Sequence, residues 1–510
     1  MAELTVIIAS DHFVVTRISA RGREAVSSFA KKFVQFGLQR KPGGRYVQEP
    51  MKVFAAATAD RTEFRFHINT LTDFHQHLKL HLLQPHQVEF IDRPKFVARK
   101  VELKVFPHWQ DRDHQIPFID YLLAPTPRRK LGAIQTGKGK SYSSMRALAK
   151  IGEVVITIVK PKYIEKWIED YRRTYDLELD DIMLVQGSKH LQALLELAMN
   201  DEITAKIIMV SNKTMQNWIK LYEKFKEGTL DMGYAVLPDQ FFEALKAGSK
   251  LVDEVHEDFH LNWKIDMYTH VEHSISLSAT LLPDDPFLKN MCEIAYPSME
   301  RYNGEAYHKY ISARAVIYKT RKPEQIRSRE PGASNYSHYA FEKYVMKHPD
   351  VLKNYLALIS EIVEKGYVAK RSEGHRCLVF ASLIEMCTLI TEHLKKKFPH
   401  LDVRRYMEDD PYEDLVEPDI IVSSLQNAGT AVDVPGLLTV VMTTAITSSQ
   451  GNVQGFGRLR ELFGDLAATP WFYYLVCEDV QKHLDYHEKK KDLLKDRALT
   501  YNVVYMPNQI

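Results

Sequence analysis

Cysteine is scarce in this chain. Four residues in 510 (Cys292, Cys377, Cys387 and Cys477) are too few and too scattered for a disulfide framework or a zinc knuckle. Cys377 and Cys387 flank an apolar segment and read as small core hydrophobes, which fits a reducing compartment. Long apolar runs are also missing: nothing approaches the ~20 residues that span a bilayer, so no membrane association is expected. Glycine and proline, 22 of each, are too few for a collagen or a mucin-like stalk, and no internal repeat or low-complexity segment is present. Neither charge sign dominates: 68 basic residues against 66 acidic leave +2, so a polyanionic partner requires locally concentrated charge. The first eleven residues carry no basic stretch ahead of their short apolar run, which argues against a signal peptide and for the cytosol.

What is there is ordinary globular material, 45% hydrophobic and 26% charged, long enough for about three domains at ~150 residues each. Residues 1–105 mix short strands (Glu3–Ala9, Lys52–Ala57) with a helix near Arg23–Phe36 and are expected to form a small α+β domain. The first hundred residues hold 16 basic and 9 acidic side chains, a local +7. From Phe106 onward, short apolar runs alternate with helical stretches. Leu131–Ile134, Val154–Lys160, Lys206–Ser211, Leu251–Val252 and Ser274–Ser278 form one series. Cys377–Ala381, Leu401–Arg405, Asp419–Ser424, Leu438–Thr443 and Phe472–Val476 form another. Two such series predict two tandem doubly wound parallel-sheet α/β domains, at 106–285 and 286–485, with an insertion around 321–375 and a tail at 486–510. Within the insertion, Arg321–Ser337 reads as an exposed loop and Val351–Lys365 as an amphipathic helix stopped by Gly366.

Two stretches carry chemistry. The first is IQTGKGKS, Ile134 to Ser141, directly after a predicted strand. Gly137 and Gly139 let backbone N–H groups approach phosphate oxygens, Lys140 supplies charge for the β- and γ-phosphates, and Ser141 supplies a hydroxyl for Mg²⁺. Thr136 and Lys138 complete the loop. The strict phosphate-loop pattern wants glycine where Ile134 stands. The second is LVDEVH, Leu251 to His256, which puts two carboxylates at a strand end. Asp253 is placed to hold hydrated Mg²⁺ and Glu254 to polarise an attacking water, so the pair reads as nucleotide triphosphatase machinery.

With these in hand, the sequence resembles the superfamily 2 helicases along both α/β domains. LVDEVH is similar to their motif II and SLSAT, Ser276 to Thr280, to motif III, in which Ser278 and Thr280, with His256 of motif II, would couple nucleotide state to nucleic-acid grip. Asp419 to Gly436 resembles motif V, with Gly429 and Asp433 at the matching nucleotide-site positions. QGFGRLR resembles motif VI, in which Gln454, Arg458 and Arg460 would face the γ-phosphate. Here the sequence departs from the family: the second arginine is expected at 461, where Glu461 stands, and Arg460 comes one residue early. IVKPKYIEKW (Ile158 to Trp167), IIMVSNKTM (Ile207 to Met215) and CLVFASLIEMC (Cys377 to Cys387) resemble motif Ia, the next strand-end motif and motif IV. RDHQ resembles the adenine-contacting pattern, with Arg112 and Gln115. The order of parts, and more loosely GRYVQEPMKVF (Gly44 to Phe54), resembles phage recombination and repair helicases of the UvsW type, whose small N-terminal domain contacts DNA.

The resemblance implies an ATP- and Mg²⁺-dependent DNA helicase or branch-migrating translocase of replication, recombination or repair. It would be a monomer on single-stranded, forked or branched DNA, working beside replication or recombination proteins, in the host cytoplasm if phage-encoded. An RNA helicase, an ATPase subunit of a larger DNA-processing complex and a nucleotide-switched clamp are the alternatives; Glu254 and Arg458 together argue against the clamp. The gap between Gly436 and Gln454, already holding a strand, leaves little room for a strand-separating hairpin. His67, His75, His77, His81 and His86 lack converging ligands for a metal and read as phosphate or base contacts on a basic surface. Tyr296, Tyr302, Tyr307, Tyr310, Tyr336 and Tyr339 read as packing under a loop, and Lys489–Lys491 as a solvated helix face.

Overall fold

The architecture comes from a computed structural model that describes residues 3–510 apart from 42–44, 82–86, 136, 227–232, 235, 279–282, 284, 303, 305–307, 331–334, 408–409, 412 and 426–433. Two compact units divide the chain, Met1–Gly304 and Glu305–Ile510. Sequence patterning places that division at 285/286. The helix Pro286–Ala295 falls in the first unit because its Met291, Cys292 and Ala295 belong to that unit's core.

The first unit opens with the expected small α+β layer. Strands β1 (Leu4–Ile8), β2 (His12–Thr16), β5 (Ala56–Ala57), β6 (Phe64–His67) and β7 (Val88–Asp92) form one sheet in the order β5-β6-β2-β1-β7, antiparallel except where β1 meets β7. Alternate residues Leu4, Val6, Phe13, Val15 and Phe66 point into a core closed by Phe29 of the helix Ala20–Ala30 and Phe74 of Leu71–Leu80. Phe29 touches Phe74 and Phe66 edge-on, with ring centroids 5.0 and 5.2 Å apart. Two further strands, β3 (Val34–Arg40) and β4 (Tyr46–Val53), pair only with each other.

Behind this layer lies a six-stranded, wholly parallel sheet. Its strands are β8 (Arg129–Ala133), β9 (Val155–Val159), β10 (Ile182–Val185), β11 (Ile207–Ser211), β12 (Ser249–Val252) and β13 (His273–Ser278), in the order β10-β11-β9-β12-β13-β8. Every residue of β9 and β11 is buried, which is why these strands read as unbroken apolar runs.

The second unit repeats the arrangement. Strands β14 (Ser312–Lys319), β15 (Arg376–Ala381), β16 (Val403–Tyr406), β17 (Ile420–Ser424), β18 (Leu437–Met442), β19 (Trp471–Cys477) and β20 (Thr500–Gln509) are all parallel, in the order β16-β17-β15-β18-β19-β14-β20. Both faces are covered: Cys377, Val379 and Ala381 point into one apolar cluster, and Leu378 and Phe380 into another. The architecture is thus two tandem RecA-like doubly wound domains after a small α+β domain.

Several expectations need correction. The final residues are not a tail, since β20 completes the second sheet as an edge strand. Lys490 is not solvated: it is buried in the helix Gln481–Lys495 with its ammonium 4.5 Å from the Tyr474 ring centre, and burial pushes its pKa down to about 7. Gly366 does not stop the preceding helix, Pro349–Val363. That helix runs into a π-turn, Glu364–Val368, and a Cβ on Gly366 would stand 2.8 Å from the Tyr473 ring. His67 and His77 are buried in the N-terminal layer rather than displayed on its surface, and His77 meets the Ala25 carbonyl at 3.0 Å. No group of metal-competent side chains is present, and no helix is long and apolar enough to cross a membrane, among the described residues.

Candidate active site

The carboxyl ends of β8 and β12 carry the site, and β13 stands between them in the sheet. After β8 the chain turns through Gly137 and Gly139, with φ of 86° and 80°, values that a residue with a Cβ adopts at a cost. Gly139 also caps the helix Lys140–Ile151 without any side-chain hydrogen bond. No cap side chain thus covers the helix's positive dipole end, the kind of terminus at which anions bind. A Cβ at Gly139 would lie 2.1 Å from Gln115 Nε2, so the Gln115 amide rests directly against this loop. Gln115 is buried, and its Oε1 accepts from the Arg112 N–H at 3.0 Å while Arg112 itself is exposed. Thr136 lies outside the described residues.

Lys140 is the centre of the arrangement. Its Nζ is 3.1 Å from Glu254 Oε1 and 3.5 Å from Asp253 Oδ1. Burial works against the ammonium, but Glu254 and Asp253 outweigh it and hold the lysine above its ordinary pKa. Burial likewise favours the neutral acid at Glu254, yet Lys140 and then His256 hold its carboxyl below the usual range. Glu254 has φ of 47°, the left-handed region that costs a side-chain-bearing residue roughly 1–3 kcal/mol. That strain ends β12 in a tight turn, and the Glu254 N–H donates to Asp253 Oδ1 at 2.9 Å.

The second oxygen of Asp253 accepts from Trp167 Nε1 at 3.0 Å, so both carboxylate oxygens have defined donors. Trp167 closes the segment Ile158 to Trp167, and a lone tryptophan in an amphipathic helix carries no sequence signal beyond core packing. The same segment reaches the carboxylate turn twice more. Lys160 Nζ is 2.8 Å from Glu257, and the Tyr163 hydroxyl donates to Glu257 at 2.6 Å.

His256 lies between the carboxylates and β13. Its Nδ1 is 2.7 Å from Ser278 Oγ and 3.3 Å from Glu254 Oε2, and burial lowers its pKa so that the ring stays neutral near pH 7. Ser278 is completely buried. Thr280 lies outside the described residues, as do Gly429 and Asp433.

The second unit holds the remaining candidates. Gln454 sits in the helix Ser449–Phe456, Arg458 is buried just beyond its end, and Arg460 donates back to the Gly457 carbonyl. Glu461, the next residue, pairs with His308 at 2.9 Å. No strand pair interrupts the described residues between β18 and this segment.

Asp253 offers carboxylate oxygens, and Ser141, in the first turn of the helix Lys140–Ile151, a hydroxyl, both hard donors of the kind Mg²⁺ takes, and the Lys140 ammonium lies beside the carboxylates. No family model and no curated sequence matches the chain. Among solved structures it is similar to UvsW of T4, at 12% identity and a TM-score of 0.32, over 99% of this chain and 100% of that one. It is also similar to S. cerevisiae Dbp5 bound to Gle1 and IP6, at 12% identity and a TM-score of 0.49, over 81% of this chain and 96% of that one. At that identity and those scores, function rests on the site residues themselves.

Proposed function

We propose that this protein hydrolyses ATP at the Lys140–Asp253–Glu254 site and uses the cycle to move along or unwind nucleic acid, DNA in the first instance. The observation that carries the reading is Lys140, at the open N-terminus of a helix after a glycine turn, within 3.5 Å of two adjacent strand-end carboxylates. A glycine turn alone, or a carboxylate pair alone, is common; a lysine that joins them is the arrangement phosphoryl transfer needs.

The chemistry follows from the side chains. The loop N–H groups and the helix end bind the phosphates, and Gln115, whose amide rests against the Gly139 loop, is proposed to meet the base. Phosphates draw the Lys140 ammonium away from Glu254. Losing its nearest cation raises the Glu254 pKa from its depressed value, so the carboxylate becomes a competent base only when nucleotide is bound. Asp253, steadied by Trp167, and Ser141 would hold Mg²⁺, which supplies charge neutralisation on the phosphate oxygens when bound. Arg458, with Arg460, is proposed to stabilise charge developing on the γ-phosphate, and Gln454 to position it, on their order in the sequence. His256 bridges Glu254 to Ser278, a path by which the state of the base reaches β13.

Steady-state ATP hydrolysis, alone and with single-stranded, forked or duplex DNA or with RNA, tests the reading, with Lys140→Ala as control. Stimulation by DNA, greatest with branched forms, is expected. Stimulation by RNA alone reassigns the polymer, and full turnover in Lys140→Ala removes the site.

A further inference from the structure

Two cations of the second unit converge on one aromatic platform. Arg314 stands on β14, in register with Tyr473 of β19 on one side and Asn502 of β20 on the other. Its guanidinium carbon lies 4.8 Å from the ring centre of Trp471 and 5.9 Å from that of Tyr473. Lys370 follows the π-turn Glu364–Val368, and its Nζ is 4.3 Å from the Trp471 ring centre and 6.0 Å from that of Tyr473. The two rings are themselves stacked, 5.7 Å apart at an interplanar angle of 22°. Attraction to the ring faces holds each charge in place but neutralises neither. Burial, and then the neighbouring Arg314, push the Lys370 pKa down.

Among the described residues no carboxylate answers either cation. Arg371, the residue after Lys370, is met by Asp419, whereas Glu373, also close in sequence, is exposed and pairs with neither Arg314 nor Lys370. The Lys370 ammonium donates once, to the Tyr473 hydroxyl at 3.2 Å. The Arg314 guanidinium donates to no described residue: its Nε is enclosed and unbonded, and its outer nitrogens remain open to solvent. A guanidinium carries five donors in a rigid plane, and packing on a ring uses none of them. The pair is also mounted more firmly than surface lysines are. Arg314 is partly enclosed in the sheet, and the turn before Lys370 is pinned where the Thr439 hydroxyl donates to the Gly366 carbonyl at 3.1 Å. Trp471 and Ser312 begin their strands, so the platform lies toward the amino ends of β19 and β14. The arginine candidates for the γ-phosphate instead follow the carboxyl end of β18.

We propose that Arg314 and Lys370 form a binding site for a phosphate-type oxyanion, held by the guanidinium fork and the ammonium together. Two positive charges suit a doubly charged tetrahedral anion, and the fork supplies two parallel hydrogen bonds to its oxygens. The rings set the spacing of the cations, which makes the site preorganised for its ligand. The inference stands apart from the hydrolysis reading, and a chain that turned over no ATP would leave it untouched.

Intrinsic tryptophan fluorescence of the full chain, titrated with inorganic phosphate at constant ionic strength, tests it, because Trp471 reports on the site. Lys140→Ala is carried in every sample to remove the cation of the other phosphate-binding candidate. A saturable change is expected, and Trp471→Phe should abolish it. Arg314→Gln/Lys370→Gln should raise the half-saturating phosphate concentration roughly tenfold or more, the loss expected for charge-assisted hydrogen bonds. Arg314→Lys keeps the charge without the fork and should raise it by less. Lys370→Gln alone alters an exposed residue, so weakened binding in a variant with an unchanged melting temperature is not misfolding. A second arm replaces phosphate with a single-stranded oligonucleotide. Saturation by phosphate assigns a free phosphate or a phosphorylated small molecule; saturation by the oligonucleotide alone, lost in the double variant, assigns the phosphates of a strand. No saturable change with either, the same change with chloride, or a midpoint unmoved in the double variant overturns the site.

Discussion

Lys250 precedes the carboxylate pair on β12 and is almost wholly enclosed, with 1% of its side chain exposed. Its Nζ is 2.6 Å from Asp11 Oδ2 and 2.6 Å from Asp266 Oδ1. Arg129, at the start of β8, meets the same two carboxylates at 2.7 and 3.0 Å. Two cations thus alternate with two carboxylates, tying the N-terminal layer through Asp11 to the parallel sheet. Lys250→Met preserves most of the volume and leaves two buried carboxylates to share Arg129. Removing one partner of a buried ion pair costs about 3–5 kcal/mol. For a cooperative unit of 304 residues, ~2.1 cal/mol/K per residue gives an unfolding entropy of roughly 0.6 kcal/mol/K, so the melting temperature of the first unit should fall by roughly 5–8 °C. The pH dependence is the sharper test. In the wild type, burial raises the pKa of Asp11 and Asp266, but Lys250 and then Arg129 prevail and hold both below 3.8. Their contribution is therefore present above about pH 4 and lost as pH falls through the lower folded values. Without Lys250, burial is no longer outweighed at both acids, so at least one folded value should rise above 3.8 and its contribution turn unfavourable as pH rises toward 7. The gap between wild type and variant should be widest at pH 7 and narrow toward pH 4. Melts followed by circular dichroism at both pH values decide the matter. A gap under 1 kcal/mol, or one constant with pH, would refute the network as a structural tie. Asp11→Asn added to Lys250→Met should recover part of the loss, because an amide replaces the stranded charge.

Glu254→Gln should bind ATP with little change yet turn over roughly 10²–10⁴-fold more slowly; single-turnover kinetics at wild-type rates would count against it as the base. Trp167→Phe keeps the ring and removes the donor to Asp253, so the expected effect is a raised Mg²⁺ requirement for hydrolysis, read from Mg²⁺ titrations, with nucleotide affinity measured without metal unchanged. Acid should unfold the first unit early. Burial lowers the His12 pKa to about 3 and the His67 pKa to about 4, with Arg65 and Arg129 as the next causes. Stability from the neutral rings is full above pH 6.5 and falls below it by up to ~1.4 kcal/mol per pH unit for each ring. A flat stability profile between pH 6.5 and 5 would contradict this.

How legible the molecule was in its sequence depended on burial. Strands such as β9, β11 and β15, covered on both faces, announce themselves as unbroken apolar runs, and their bounds were read to within a residue or two. Besides β2, β3, β6 and β7 of the N-terminal layer, three strands of the parallel sheets escape the sequence pattern, each for a local reason. β10 is a partly exposed edge strand that follows the acidic stretch Glu178–Asp181. β14 carries Arg314 amid its apolar residues, and β20 contains Pro507, tolerated because an edge strand need not donate there. Of the site, Lys140, Asp253 and Glu254 were legible because their types and their strand-end places coincide. Trp167, and the Lys160 and Tyr163 contacts to Glu257, were not, because hydrogen bonds made across a sheet leave no spacing in the chain. The buried Lys490 misled for the opposite reason: a run of three lysines looks solvated, and the helical turn points the middle one inward.

The two parallel sheets have the same strand order when each is numbered from its own first strand: 3-4-2-5-6-1, with a seventh strand added beyond strand 1 in the second unit. No repeat is visible in the sequence, so topology has been kept where side chains have not. That is the expected outcome if right-handed crossovers and a doubly covered sheet constrain the backbone while leaving the identity of apolar residues free. What differs is where chemistry has been placed. The first unit has a lysine after strand 1, two carboxylates after strand 5 and a buried serine at the end of strand 6. In the second unit, strand 1 ends at Lys319 and leads into a largely exposed segment, and the cationic candidates instead follow strand 5, at Arg458 and Arg460. One scaffold thus carries carboxylates and a glycine turn in one copy and arginines in the other, a difference that the proposed ATP-driven reading uses by assigning them separate roles.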